Sequence, residues 1–372
     1  MSLVLRRIRG LSRANMGARH IAVSADLSRR MAVMSFVCAC MIVAIHCTPA
    51  PLAGSWQWWV ANLLGADGLC RIAVPWFFVA SGFFFAGHID EEGWYRNAIC
   101  KRLRTLMIPF IAWALIGLAV RYCIWYGARE CGYACGIENP IANGFWCALL
   151  KVLGFDLSRI NIGPIWYLRM LFVLVVVSPV ICRFIRRFGM IAPFLLWVGY
   201  GAYDTGGHFS DFWEYLVSLR GIAYFSLGIV WRIGLAEVVL GYARRHVIWV
   251  GVAGVSLLVL NVIARSLGCC YVENFLDFLM VLPLFAAVLG VLAQLRLPTW
   301  CWENAFAIYV LHGIFLLVSI AILVALNLRV AMAQSLAIAL GRFMFAVGAS
   351  LAVALLLKKL FPKVAYLLFG GR

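Results

Sequence analysis

Two histidines sit where a histidine is costly to keep. His46 closes the apolar run M31AVMSFVCACMIVAIHCT48, and His312 lies inside A305FAIYVLHGIF315 with Tyr309 one helical turn earlier on the same face. An ionisable side chain within a membrane-length span is a functional residue by default. An imidazole with an ordinary pKa of about 6.5 can accept a proton at neutral pH, which suits it to general-base chemistry. A membrane histidine can equally serve as a hydrogen-bonding link between helices. Five arginines, Arg71, Arg121, Arg169, Arg220 and Arg342, also fall in or at the edge of apolar segments. Each could snorkel to a headgroup, but together they describe a cationic, wet region suited to phosphates or a developing oxyanion.

The elements that must position these residues are membrane helices. The 372 residues are 65% hydrophobic and 13% charged, with a mean hydropathy of +0.96, well beyond the apolar content of a soluble domain. Crossing a hydrocarbon core takes about 20 helical residues, because every backbone polar group must be satisfied within the segment. On that template about ten spans emerge, over 31–48, 71–88, 106–126, 164–183, 189–203, 215–235, 246–264, 276–294, 304–326 and 335–357, the fifth unusually short. The fold class expected is therefore an all-α integral membrane protein.

A net charge of +17 would suggest nucleic acid in a soluble chain, but here its placement marks topology, and no nucleic-acid partner is expected. Arginines and lysines crowd the segment before the first span and the connections after the second, fourth, sixth and eighth, then return as Lys358, Lys359, Lys363 and Arg372. The alternate connections are poor in them, and D204TGGHFSDFWE214 is acidic. The positive-inside rule puts both termini in the cytoplasm, consistent with an even number of spans. With a rise of about 1.5 Å per residue, His46 then lies in the outer third of the bilayer, with the arginines at neighbouring depths. The expected division is a basic cytoplasmic tail over 1–30, one membrane domain over 31–357 and a second basic tail over 358–372. The first 30 residues also have the composition of an organelle transit peptide, although orientation already accounts for their arginines.

The 13 cysteines show no metal-ligand spacing, and most stand where a small apolar residue would serve. No metal is expected. Cys131 with Cys135, or Cys269 with Cys270, would face an oxidising compartment and could pair. The basic run C100KRLRTLMIPFIAW113 is an ordinary cytoplasmic flank or a phosphate-binding segment, with Arg102 and Arg104 as the binding candidates. Trp166 and Tyr167, at the mouth of the fourth span, are either interface anchors or a stacking surface for a sugar.

The order of these motifs resembles that of the membrane-bound acyltransferase-3 family, bacterial enzymes that acylate hydroxyls of surface glycans. The likeness rests on His46 ending the first span, R71IAVPWFFVASGFFF85, K101RLRTLMIPFIAW113, I162GPIWYLRMLFVL174, Y224FSLGIV230 and A307IYVLHGIF315. The resemblance implies transfer of an acetyl or succinyl group from cytoplasmic acyl-CoA to a glycan or glycolipid acceptor in the bacterial inner membrane. His46 would be the base, Arg71 the oxyanion partner, and Arg102 and Arg104 the ligands of the CoA phosphates. Trp166, Tyr167, Arg169, Tyr309 and His312 would contact substrate. One position departs from the pattern: many members carry an arginine eleven residues before the histidine, and this chain has Ser35. A transporter of anionic lipid or glycan, or a sensor that kept the fold without catalysis, would share most of these features.

Overall fold

A computed structural model describes residues 24–50, 54–66, 68–132, 138–153, 165–204, 219–235, 241–242, 245–292, 297–328 and 334–371. Residues 1–23 of the expected transit-like segment, the motif residues 162–164 and most of the acidic connection lie outside them, while 25–30 open the first helix. All regular structure among the described residues is helical. In chain order the helices are α1 (Ala25–Cys47), α2 (Trp56–Leu64), α3 (Ala73–Phe85), α4 (Trp94–Arg102), α5 (Ile108–Glu130), α6 (Phe145–Leu153), α7 (Trp166–Phe188) and α8 (Ala192–Asp204). They continue with α9 (Leu219–Val230), α10 (Val247–Ser266), α11 (Cys270–Leu292), α12 (Thr299–Trp302), α13 (Ala305–Ala325), α14 (Leu336–Leu360) and α15 (Pro362–Leu368).

Eight helical stretches among the described residues are long and apolar enough to cross a bilayer. Two of the ten expected spans account for the difference. The fifth is α8, only 13 residues long, which follows α7 through a 3-10 turn at Gly189–Ile191 with Gly189 at a φ of +63°. The sixth is α9, whose 12 residues run into a π-helical turn at Trp231–Leu235. A second π turn, Leu103–Met107, joins α4 to α5.

The chain divides into two compact units. The first comprises Met1–Cys38, Ile72–Lys101 and Met170–Trp302; the second comprises Ala39–Arg71, Arg102–Arg169 and Glu303–Arg372.

Two of the motifs quoted above build the first unit. A Cβ placed on Gly82 of α3 would lie 2.0 Å from the Phe225 carbonyl oxygen, and one on Gly228 of α9 would lie 2.0 Å from that of Val79. Each helix therefore gives up a side chain so that the other's backbone can approach, which is how membrane helices gain contact where no hydrophobic effect drives them together. Phe83 packs on Trp231 with ring centroids 5.4 Å apart, and Phe85 packs on Phe225 at 5.3 Å. In the same unit, Ser35 of α1 accepts a hydrogen bond from Trp76 Nε1 at 3.1 Å and donates to the Met31 carbonyl at 2.8 Å. The residue that stands in place of an arginine thus holds α1 to α3.

The second unit is organised around α13 and α14, which pack along one another; Phe315 meets Phe345 edge to face at 6.0 Å. Residues after Lys358 continue this helical packing. Helix α14 runs to Leu360, and α15 docks on α5, where Trp113 Nε1 donates to the Leu368 carbonyl at 2.9 Å and its ring stacks on Phe369. Cys131 and Cys269 are free thiols, and Cys135 lies outside the described residues.

Candidate active site

His46 occupies the last turn of α1, in the second unit. The chain beyond it is fixed by Thr48, whose hydroxyl donates to the Ala44 carbonyl at 3.0 Å and accepts from the Ala66 amide at 3.1 Å. That pair of bonds folds the connection containing α2 back onto the end of α1 and leaves the His46 ring accessible.

The His46 ring lies on that of His312, with centroids 5.6 Å apart and planes 28° from parallel. His312 has no exposed surface. Its Nδ1 is 3.1 Å from the Ile308 carbonyl, which can only accept, so Nδ1 carries the proton in the neutral ring. Nε2 is then left with a lone pair, buried and hydrogen-bonded to nothing among the described residues. An accessible imidazole backed by a buried, oriented one is an arrangement suited to proton transfer.

Tyr309 extends the cluster. Its ring is 6.2 Å from His312 and 6.0 Å, edge to face, from Tyr167 of α7, and its hydroxyl is hydrogen-bonded to the Tyr167 backbone. Tyr309 and Tyr167 are 5% and 8% exposed, so Tyr167 offers no open ring face for a sugar. Arg102, at the end of α4, reaches Tyr167 electrostatically. Four of the residues singled out in the sequence, His46, His312, Tyr309 and Tyr167, thus form a contiguous column, and the charge of Arg102 reaches its Tyr167 end.

Of the remaining candidates, Trp166 and Arg169 are half-buried in the first turn of α7, Arg104 is exposed in the π turn, and Arg71 is half-buried in the 3-10 turn Leu69–Ile72 that leads into α3. The five arginines expected near His46 do not all share its unit. Arg220 belongs to the first unit, where it donates to the Tyr200 hydroxyl at 2.6 Å and to Asn274 Oδ1 at 3.4 Å and stands near Asp277. Arg342 of α14 belongs to the second unit, and its charge reaches His46. Sequence spacing had no means of separating the two, since both are single arginines at similar depths.

Comparison with known proteins adds a family to this geometry. The sequence profile of an acyltransferase domain, Acyl_transf_3, matches residues 32–359. The chain belongs to the acyltransferase-3 family. The acyltransferase profile thus spans every helix of the histidine column. A curated relative, the succinoglycan biosynthesis protein ExoH of Rhizobium meliloti (strain 1021), is 25% identical over 174 residues. That match covers 45% of this acyltransferase and 45% of the relative, so the chain spans about half the length of the curated protein it matches. No solved structure matches the chain.

Proposed function

We propose that this acyltransferase moves a short acyl group, acetyl or succinyl, from cytoplasmic acyl-CoA to a hydroxyl of a cell-surface or exported glycan at the bacterial inner membrane. The observation that carries the proposal is the stacked pair of His46 and His312, continued by Tyr309 and Tyr167. It sets a base at one end of the column and, within reach of Arg102's charge at the other, the basic segment read as the donor's phosphate site. The similarity to a succinoglycan biosynthesis protein supports a glycan acceptor.

The acceptor hydroxyl gives its proton to His46 as its oxygen attacks the thioester carbonyl carbon. Negative charge gathers on the carbonyl oxygen, where a cationic group is most effective because water is largely excluded. The carbon–sulfur bond then breaks, and the CoA thiolate takes the proton back from the imidazolium. His312, with Nδ1–H held on a carbonyl, keeps the His46 ring in place throughout. Arg71 is the cationic group that the sequence reading proposes for the oxyanion, while Arg102 and Arg104 bind phosphate bidentately, as guanidinium groups do. Trp166 and Arg169, half-buried beside Tyr167, would contact the acceptor.

Purified protein given radiolabelled acetyl-CoA or succinyl-CoA and a glycan acceptor should label the acceptor, and His46→Ala should abolish the labelling. Movement of acceptor across vesicle membranes without labelling would establish the transporter reading instead. Absence of both would leave the sensor.

A further inference from the structure

Arg342 was legible in the sequence as one more intramembrane arginine; its surroundings single it out. It lies on α14, against the face of α13 that carries His312, and its Nε donates to Ser319 Oγ at 3.3 Å. Ser319 is two helical turns beyond His312 on the same face, and its own hydroxyl is spent on the Leu316 carbonyl at 2.7 Å. That bond fixes the guanidinium through one nitrogen. Its terminal nitrogens are bonded to nothing among the described residues, and no described carboxylate pairs with it. An arginine in a membrane normally ends on a carboxylate or a headgroup. This one is anchored by a neutral serine on the face of α13 that also carries His312, the ring on which His46 is stacked.

We propose that Arg342 is the cationic group of the acyl-transfer centre, positioned by Ser319 to face the oxygen on which negative charge develops while His46 takes the hydroxyl proton. This rests on the acyltransferase reading given above. It assigns to the tenth expected span a role first expected of Arg71, and it accounts for a family member working with serine at position 35. The positive charge comes from α14, while Ser35 is engaged with Trp76 in the other unit.

The test compares Arg342→Gln, Arg342→Lys, Arg342→Ala and Arg71→Gln in detergent-purified protein. Arg342→Gln should lower kcat on the order of a hundredfold with KM for acyl-CoA unchanged, and Arg342→Lys should retain most of the rate. Added guanidinium should restore part of the activity of Arg342→Ala, which a merely structural role would not allow, and Arg71→Gln should be the milder change. A kcat unchanged in Arg342→Gln, a loss confined to KM, or a larger loss in Arg71→Gln would overturn the assignment. A second readout needs no turnover: carbethoxylation of His46 at fixed pH, followed by mass spectrometry, should slow about threefold or more in Arg342→Gln and not in Arg342→Lys. That shift in a protein showing no transfer at all would sink the acyltransferase reading while keeping the pairing of Arg342 with His46. An unchanged rate would remove the pairing itself.

Discussion

Each unit contains a polar cluster among apolar helices, and the two are assembled on opposite principles. In the first unit, charge is answered by charge. Arg265 bonds Glu273 at 2.8 Å, Asn261 bonds Asp277 at 3.0 Å, and Arg220 is held by Tyr200 and Asn274 with Asp277 in reach. Trp197, Tyr200 and Tyr224 seal the group, all of them buried. In the second unit, two imidazoles and a guanidinium gather with serine, tyrosine and backbone carbonyls, and no described carboxylate among them. Placing polar groups among apolar helices is costly in both cases. The first cluster offsets that cost internally and so can hold helices in register. The second leaves positive charge unanswered, an arrangement that suits a site whose compensating negative charge arrives with substrate or arises in the transition state.

The comparison can be broken at several points. The largest effect should come from His46→Gln, with transfer falling by about 10²–10⁴-fold while the thermal unfolding midpoint in detergent stays within a degree or two of the parent. Loss of folded protein in that variant would mean that the second cluster is structural after all. Arg220→Met should do the reverse, costing about 1–3 kcal/mol of stability by removing the bonds to Tyr200 and Asn274 while the folded fraction keeps its specific activity. Gly228→Ala tests the glycine contact of the first unit directly. Its Cβ would meet the Val79 carbonyl, which belongs to helix backbone and cannot swing aside, so a stability loss of about 1–3 kcal/mol is expected with catalysis per folded molecule retained.

The smallest effect concerns the carboxy-terminal segment. A Cβ on Gly370, whose φ is +66°, would lie 2.4 Å from the Thr105 carbonyl oxygen, so the chain after α15 presses on the π turn next to Arg104. Trp113→Phe removes the bond to the Leu368 carbonyl, worth about 1 kcal/mol, and should raise KM for acyl-CoA with little change in kcat. A change in kcat alone would show that this strap acts on the histidines and not on the donor segment.

Much of this was legible along the chain. Hydropathy and charge placement located the apolar segments, because burial in lipid imposes its requirement on each stretch of about 20 residues separately. His46 and His312 stood out for the same reason, an ionisable group being conspicuous in any apolar run. The limits of each reading follow from the same locality. Length alone could not tell that α9 ends in a π turn. Tyr167 had the position of an interface aromatic, yet its ring is turned inward onto Tyr309. Lys358, Lys359 and Lys363 had the composition of a tail, whereas the chain around them is helical and docks on α5.

The sequence by itself determined that the chain builds membrane helices, how their ends are oriented, and which few side chains are too polar to be there without a purpose. Only the tertiary structure decided which of those side chains meet. His46 stacks on a ring 266 residues away, Ser35 accepts from Trp76, Arg220 finds Tyr200 and Asn274, and Arg342 bonds Ser319 on the helix that carries His312. The physical reason is that insertion into lipid is governed by composition over a single span, whereas the pairing of helix faces depends on small residues and buried polar groups from distant spans fitting at once.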